Sequence, residues 1–213
     1  MNIILLGPTW RNAEIAVYLT KRGHNVMQSN VRDMLRCFDE GLSADIVISN
    51  GYAPIFKPHH VNKMNIINIH PAALPRGRGI YPNVWALYEG HAIGVSIHQI
   101  DEGIDTGDLL ASDYMQHWEL EFRLNNPQET LQTFYSHLLR RVEVLFYHTW
   151  PSIEDGSILP YKQEPGGFQY YRNRAESEKL MKMFPDRWDT PIKLVKLAGE
   201  HMRKMDEQLH FGC

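Results

Sequence analysis

Asn68 and His70 stand two residues apart at the end of the apolar run Met64-Asn65-Ile66-Ile67-Asn68-Ile69-His70, and Pro71 stops that run. Alternate side chains of an extended strand share a face, so the amide and the imidazole emerge together and can address one atom of a bound molecule. Further along, Asp101-Glu102-Gly103-Ile104-Asp105-Thr106-Gly107-Asp108 is a polar loop from which Asp105 could orient His70 and fix its tautomer. No Ser or Cys accompanies the three as a nucleophile. The set therefore suits acyl transfer directly to an incoming nucleophile, with Asn68 and His70 stabilising the oxyanion and no covalent enzyme intermediate. Taken alone, an Asn and a His at a strand end more often form a satisfied hydrogen-bonding pair.

The elements that must position these residues alternate. Asn2-Ile3-Ile4-Leu5-Leu6 reads as a strand, Ala13 to Arg22 as a helix capped by Asn12 and stopped by Gly23, and His24 to Gln28 as the next strand. A helical stretch from Val31 to Glu40, a buried strand at Asp45 to Ser49 and the strand ending at His70 continue the series. Pro82 opens a helix through Glu89 with Gly90 as its stop, and Ala92 to Ile100 and Leu109 to Trp118 read as strands. Asn126-Pro127-Gln128-Glu129 reads as the start of a long helix whose apolar stripe is Leu131, Phe134, Tyr135, Leu138, Val142, Leu145 and Phe146. This is the pattern of an α/β fold, Rossmann-like, with a mostly parallel sheet and helices on both faces. In such sheets the crevice beyond the strand ends is where ligands bind.

Composition narrows the function classes. The 213 residues are 43% hydrophobic and 22% charged, room for one ordinary domain with a small appendage. The net charge of −3 gives no general attraction to nucleic acid or anionic lipid. Cys37 and Cys213 form no CxxC pair, so no zinc cluster or disulfide framework is expected and a reducing, cytoplasmic setting is the default. No apolar stretch approaches the ~20 residues of a membrane span. His59 and His60 are adjacent and cannot share a helix face at metal-ligand spacing, so with Pro58 they read as a helix start and no metal site is expected. Past Pro160 the texture changes to Gly166-Gly167, an aromatic cluster and a charged segment, which divides a catalytic domain, 1–160, from a C-terminal extension, 161–213. The extension carries 10 Lys and Arg against 8 Asp and Glu and is the relatively cationic part of an acidic chain.

Asn68-Ile69-His70-Pro71 with Leu74-Pro75, Arg78-Gly79 and Pro82, then Gly94-Val95-Ser96-Ile97-His98 and Asp105-Thr106-Gly107-Asp108, resembles the signature of the 10-formyltetrahydrofolate-dependent formyltransferase family. The resemblance runs from residue 1 to about residue 118 and is specific at the two loops. It implies the formyltransferase fold, 10-formyltetrahydrofolate as formyl donor, and Asn68, His70 and Asp105 as the catalytic trio. It further implies a folate pocket formed by Tyr52, Ala53, Pro54 and Ile55 and by main chain near Asp101 and Ile104. A flat pterin needs backbone donors and acceptors beside apolar walls, which irregular loops expose.

Within that family, the segment Arg78-Gly79-Ile80-Tyr81-Pro82-Asn83-Val84-Trp85 resembles the branch that formylates nucleotide-linked amino sugars. A methionyl-tRNA formyltransferase would carry a basic C-terminal barrel, for which 161–213 looks too short. A formyltetrahydrofolate hydrolase would carry an N-terminal regulatory domain ahead of the strand that here starts at Asn2. A glycinamide ribonucleotide formyltransferase would carry a Gly-rich phosphate loop where this chain has Gly7-Pro8-Thr9-Trp10-Arg11-Asn12, which weakens that reading; it and the hydrolase stand as the alternative activities. The expected acceptor is a small nucleotide-linked amino sugar held by Arg78, Tyr81, Tyr170, Tyr171 and Arg172, planar rings for the base and guanidinium groups for the phosphates. The same aromatics could instead staple the tail to the core. Neither a nucleic-acid nor a membrane partner is expected, a homodimer is left open, and the other-class rival is a folate-binding module without turnover.

Overall fold

The structure, a computed structural model, describes residues 1–164 and 171–211, with side chains described to residue 208. Its strands are β1 (Asn2–Leu6), β2 (Asn25–Ser29), β3 (Ile46–Ser49), β4 (Ile66–His70), β5 (Gly94–Gln99) and β6 (Leu109–Tyr114). Helices are α1 (Thr9–Lys21), α2 (Met34–Asp39), α3 (Pro58–Val61), α4 (Pro82–Glu89), α5 (His117–Leu124), α6 (Leu131–Glu154), α7 (Arg174–Met181) and α8 (Ile192–Phe211). The six strands form one mixed sheet in the order β2-β1-β3-β4-β5-β6. β1 pairs in parallel with β2 and β3, and β3 with β4, whereas β5 runs antiparallel to β4. Among the described residues no helix is long and apolar enough to cross a membrane.

Two compact units partition the chain. The first comprises residues 1–70, 96–111 and 142–163, the second residues 71–95, 112–141 and 164–213. The units interleave along the chain, which crosses between them after residues 70, 95, 111, 141 and 163. In the first unit the near-continuous apolar runs of β1 and β3 are fully buried, as in strands covered on both faces, and Ile15, Leu19, Phe146 and Trp150 complete that core. The core of the second unit is Val84, Leu87, Phe134, Leu138, Leu180, Met181, Phe184, Ile192 and Val195.

Several element boundaries move from their expected positions for identifiable reasons. α1 begins four residues earlier than expected, because the Pro8 carbonyl accepts the amides of Arg11 and Asn12 at 3.0 and 3.1 Å and starts the helix itself. Asn12 then becomes a buried helix residue, accepting from the Asn50 amide at 2.9 Å. α6 begins at Leu131 and not near Asn126: Asn126 closes a local turn onto Gln128, Glu129 receives Arg123, and Thr130 and Thr133 exchange the reciprocal bonds of the cap. β6 stops at Tyr114, and His117 to Leu124 turn into α5, anchored by the double bond of Arg141 to Glu119 at 2.7 and 2.9 Å.

Candidate active site

The alternation of β4 and β5 builds a polar face in the first unit. Asn68 lies opposite His98 and His70 opposite Ser96 in the antiparallel register, while Ile67, Ile69 and Ile97 point the other way. His70, Ser96 and His98 are buried. So many polar side chains in a strand interior must be satisfied by one another or by a ligand.

The structure brings Asn68, His70 and Asp105 together around His98. The Asn68 Nδ2 is 3.1 Å from His98 Nε2 and donates to Asp105 Oδ1 at 3.5 Å. His98 Nε2 is also 3.5 Å from Asp105 Oδ1, and His70 Nδ1 is 4.0 Å from the same oxygen. The two rings meet edge to face, 5.8 Å between centroids. On its far side His98 Nδ1 faces the Gln99 carbonyl at 2.7 Å, so Nδ1 carries a proton, and in the neutral tautomer this leaves Nε2 as an acceptor. Asn68 must then turn its NH2 group toward His98 and Asp105, since the opposite orientation would set its carbonyl oxygen against two acceptors. The 4.0 Å separation between His70 and Asp105 is short enough for the imidazole to tighten onto the carboxylate when a ligand binds.

Asp105 owes its place to the loop. Its φ of +52° is in the left-handed region, which Asp tolerates better than most residues. Gln163 donates to the carbonyls of Asp105 and Gly107 at 2.9 and 2.8 Å. A Cβ at position 107 would run into the Gln99 carbonyl, so glycine lets the loop return against β5. Asp101 accepts from the Gly103 amide and the Thr106 hydroxyl, which spends its side chain on loop closure and leaves main chain as what the loop can offer a ligand. Gln163 and His98 are the two residues that reading the sequence for chemistry missed. His98 had a signal, the Ser-x-His alternation inside an expected strand; Gln163 had none.

In the other expected folate loop Tyr52 is buried, its hydroxyl 3.3 and 3.1 Å from the carbonyls of Val31 and Arg32 and its ring packed on Phe56. Ala53 is exposed, Pro54 half-buried, and Ile55 is 68% exposed at the loop tip. Ile55 and Ile104, the latter half-buried in the Asp105 loop, are the apolar side chains that the two expected folate loops expose.

The residues expected to hold the acceptor lie in the second unit. Arg172 pairs with the Glu89 carboxylate and lies over the Trp85 ring, 4.1 Å from its centroid. Its main chain is zipped to the loop before α4: the Arg172 amide donates to Arg78 O at 3.1 Å and the Ile80 amide to Arg172 O at 2.8 Å. The Tyr81 hydroxyl, its pKa raised by burial and by Glu178, donates to Glu178 at 2.9 Å, and its ring meets Trp188 edge to face. Arg172 and Tyr81 thus staple the segment after residue 170 to the Arg78–Trp85 segment. Arg78 is half-buried and the Tyr171 side chain is 47% exposed, whereas Tyr170 lies outside the described residues.

The family model described as formyl transferase matches residues 14–125, a span that contains Asn68, His70, His98 and Asp105. The chain is 31% identical over 135 residues to a methionyl-tRNA formyltransferase of Synechococcus sp. (strain JA-3-3Ab), covering 62% of this chain and 39% of that relative. It thus spans about two fifths of the length of that curated relative. The formyltransferase PseJ from Anoxybacillus kamchatkensis, solved in complex with UDP-4,6-dideoxy-4-formamido-L-AltNAc and tetrahydrofolate, superposes with a TM-score of 0.73 at 32% identity, over 93% of this chain and 100% of that one. A 4-N formyltransferase from Francisella tularensis shares the fold at 19% identity with a TM-score of 0.68, over 93% of this chain and 87% of that one.

Proposed function

Because the chain belongs to the formyl transferase family, we propose that it moves a formyl group from 10-formyltetrahydrofolate to a primary amine on a nucleotide-linked amino sugar. The observation that carries this reading is the likeness to PseJ, whose structure holds a formylated UDP-sugar with tetrahydrofolate and whose whole length this chain covers. The convergence of Asn68, His70 and Asp105 on one polar face supports direct transfer.

The donor supplies an activated formyl group, and the loops around Ile55 and Ile104 are the residues that would hold its pterin. The Asn68 hydrogen directed at Asp105 is the weaker of its two bonds, and it swings to the formyl oxygen as negative charge develops there, while its partner stays on His98. Protonated His70 is the second donor to that oxygen. Asp105 holds the imidazolium and receives the proton lost by the attacking amine, directly or through water, and that proton is returned to the departing nitrogen. Burial of His70 and His98 keeps the donors preorganised in a water-poor face. In the second unit, Arg78, Tyr171 and the Arg172–Trp85 stack are the groups that would hold the acceptor's nucleotide, with Tyr81 shaping the segment.

A second reading, formylation of an aminoacyl-tRNA, is favoured by the methionyl-tRNA formyltransferases matched in sequence. One assay separates the two: 10-formyltetrahydrofolate with a panel of UDP- and dTDP-linked amino sugars and, in parallel, methionyl-tRNA, each followed by mass for gain of one formyl group. A formylated nucleotide sugar is expected. Formylated methionyl-tRNA alone would establish the second reading, and free formate with no acceptor product would make the protein a hydrolase.

A further inference from the structure

Two clusters in the first unit bring two histidines and one aspartate within reach of a single metal ion: Asp39 with His59 and His60, and Asp105 with His70 and His98. Their hydrogen bonds separate them. His60 Nδ1 accepts from the Lys57 amide at 3.2 Å, so the ring proton sits on Nε2 and is donated to Asp39 at 2.8 Å. A metal at that Nε2 would have to expel a proton that the other ring nitrogen, already facing a donor, has no room to take. His59 reaches the same Asp39 oxygen at 2.6 Å, so adjacency in sequence does not keep the two rings apart. The cluster is a proton-holding one.

The second cluster has the opposite polarity. His98 Nδ1 is committed to the Gln99 carbonyl at 2.7 Å, the outer contact that metal-ligating histidines usually make, and its Nε2 lies 3.5 Å from Asp105 Oδ1. The Asn68 NH2 lies against both atoms, 3.1 Å from Nε2 and 3.5 Å from Oδ1. Around a tetrahedral zinc ion with bonds of ~2.0–2.1 Å, neighbouring ligand atoms stand ~3.3–3.4 Å apart. The separations here are 3.5 Å for His98–Asp105 and 4.0 Å for His70–Asp105, with all three ligand atoms within 4.8 Å. Small side-chain adjustments close that set on an ion.

We propose that His70, His98 and Asp105 form a binding site for a divalent transition ion, of which zinc is the best match, and that its occupancy inhibits the enzyme. His98 would enter as the neutral ring with its proton on Nδ1, His70 in the tautomer with its proton on Nε2, and Asp105 as carboxylate. Asn68 gives up its bond to His98, and a half-turn of its amide directs the carbonyl oxygen at the ion as a fourth ligand or leaves that place to water. Two nitrogens with one or two oxygens favour zinc, cobalt, nickel and copper over magnesium and calcium, which require an oxygen shell. Binding stands independently of the formyl-transfer reading; inhibition rests on it, because the ion takes the groups that serve the formyl oxygen and the amine proton.

The test is a cobalt(II) titration of the full chain without folate. A visible d–d band of four- or five-coordinate cobalt, saturating at one equivalent and bleached by zinc, is expected. It should vanish in His98→Ala and in Asp105→Asn and persist in His60→Ala, with circular dichroism confirming the fold of each. Zinc should inhibit formyl transfer in step with bleaching, and EDTA should restore it, while magnesium does neither. Absence of a band at millimolar cobalt, or its persistence in both folded variants at the second cluster, overturns the site. Zinc binding there with undiminished turnover overturns the inhibition and leaves the binding result standing.

Discussion

The His98 Nε2 stands 3.1 Å from the Asn68 amide nitrogen across one rung of β4 and β5, and that contact decides which way the amide points. The Gln99 carbonyl makes Nε2 an acceptor; the acceptor draws the NH2 group; the NH2 group is what a developing oxyanion needs.

His98 is therefore a positioning residue, and its removal should be felt in turnover and not in donor affinity. His98→Leu frees the Asn68 amide to rotate and should lower kcat ~10-fold or more with little change in folate KM. His98→Gln, which can still accept from Asn68, should recover part of the loss. Equal kcat in parent and His98→Leu would show that the amide needs no such guide. Asn68→Ala, which deletes the donor itself, should cost ~10²-fold or more.

Asp105→Asn isolates the charge from the backbone. Asn accepts the left-handed conformation that Asp105 adopts at φ +52°, and Gln163 donates to the main-chain carbonyls of Asp105 and Gly107, so the fold should survive. What is lost is the proton acceptor and the partner of protonated His70. A fall in kcat of ~10²-fold or more is expected at unchanged melting temperature. If Asp105→Asn and parent turn over at the same rate, proton removal is done elsewhere.

How much of this was legible in the sequence follows from local rules. The strand ending at His70 and the shared face of Asn68 and His70 depend only on a two-residue period and a stopping proline, and both are visible in one window of residues. The start of α4 at Pro82 and its stop at Gly90 were legible for the same reason. The role of His98 depends on strand register, which no local pattern reveals, and Gln163 reaches the Asp105 loop from 58 residues away. The cap at Thr130 was hidden by a better-looking one at Asn126, whose Glu129 is claimed by Arg123. Arg172 and Tyr81 were chosen for their chemistry, and only coordinates reveal that Glu89, Trp85 and Glu178 already occupy them.

Gly79 offers a test of the acceptor segment that leaves the catalytic trio alone. Its φ is +92°, and a Cβ there would meet the Arg172 carbonyl that receives the Ile80 amide. Gly79→Ala should unzip residue 172 from the loop, at a cost of ~1–3 kcal/mol read as a lower melting temperature. On the proposed function it should also raise the KM for the nucleotide-linked amine at nearly unchanged folate KM. A destabilised variant with the parent's acceptor KM would assign the zipper to stability alone.

The second unit also sets a pH dependence separate from catalysis. Burial holds the His137 pKa below its ordinary value, and the Arg123 guanidinium, 2.6 Å from Nδ1, pushes in the same direction. The neutral ring accepts from Arg123 where an imidazolium would face a cation. Because the folded pKa lies below the unfolded one, the unfolded chain binds more protons in that interval, and stability falls as pH falls from about 6.5 toward the folded value. Glu119 faces the other nitrogen of the ring, and Glu129 and Asp113 pair with Arg123 and Arg141 in the same network. Melting temperatures measured between about pH 7.5 and pH 5.5 should therefore decline on the acid side in the parent, and less steeply in His137→Gln, which keeps an acceptor for Arg123 but does not titrate. Parallel curves for the two proteins would place the acid sensitivity outside this residue.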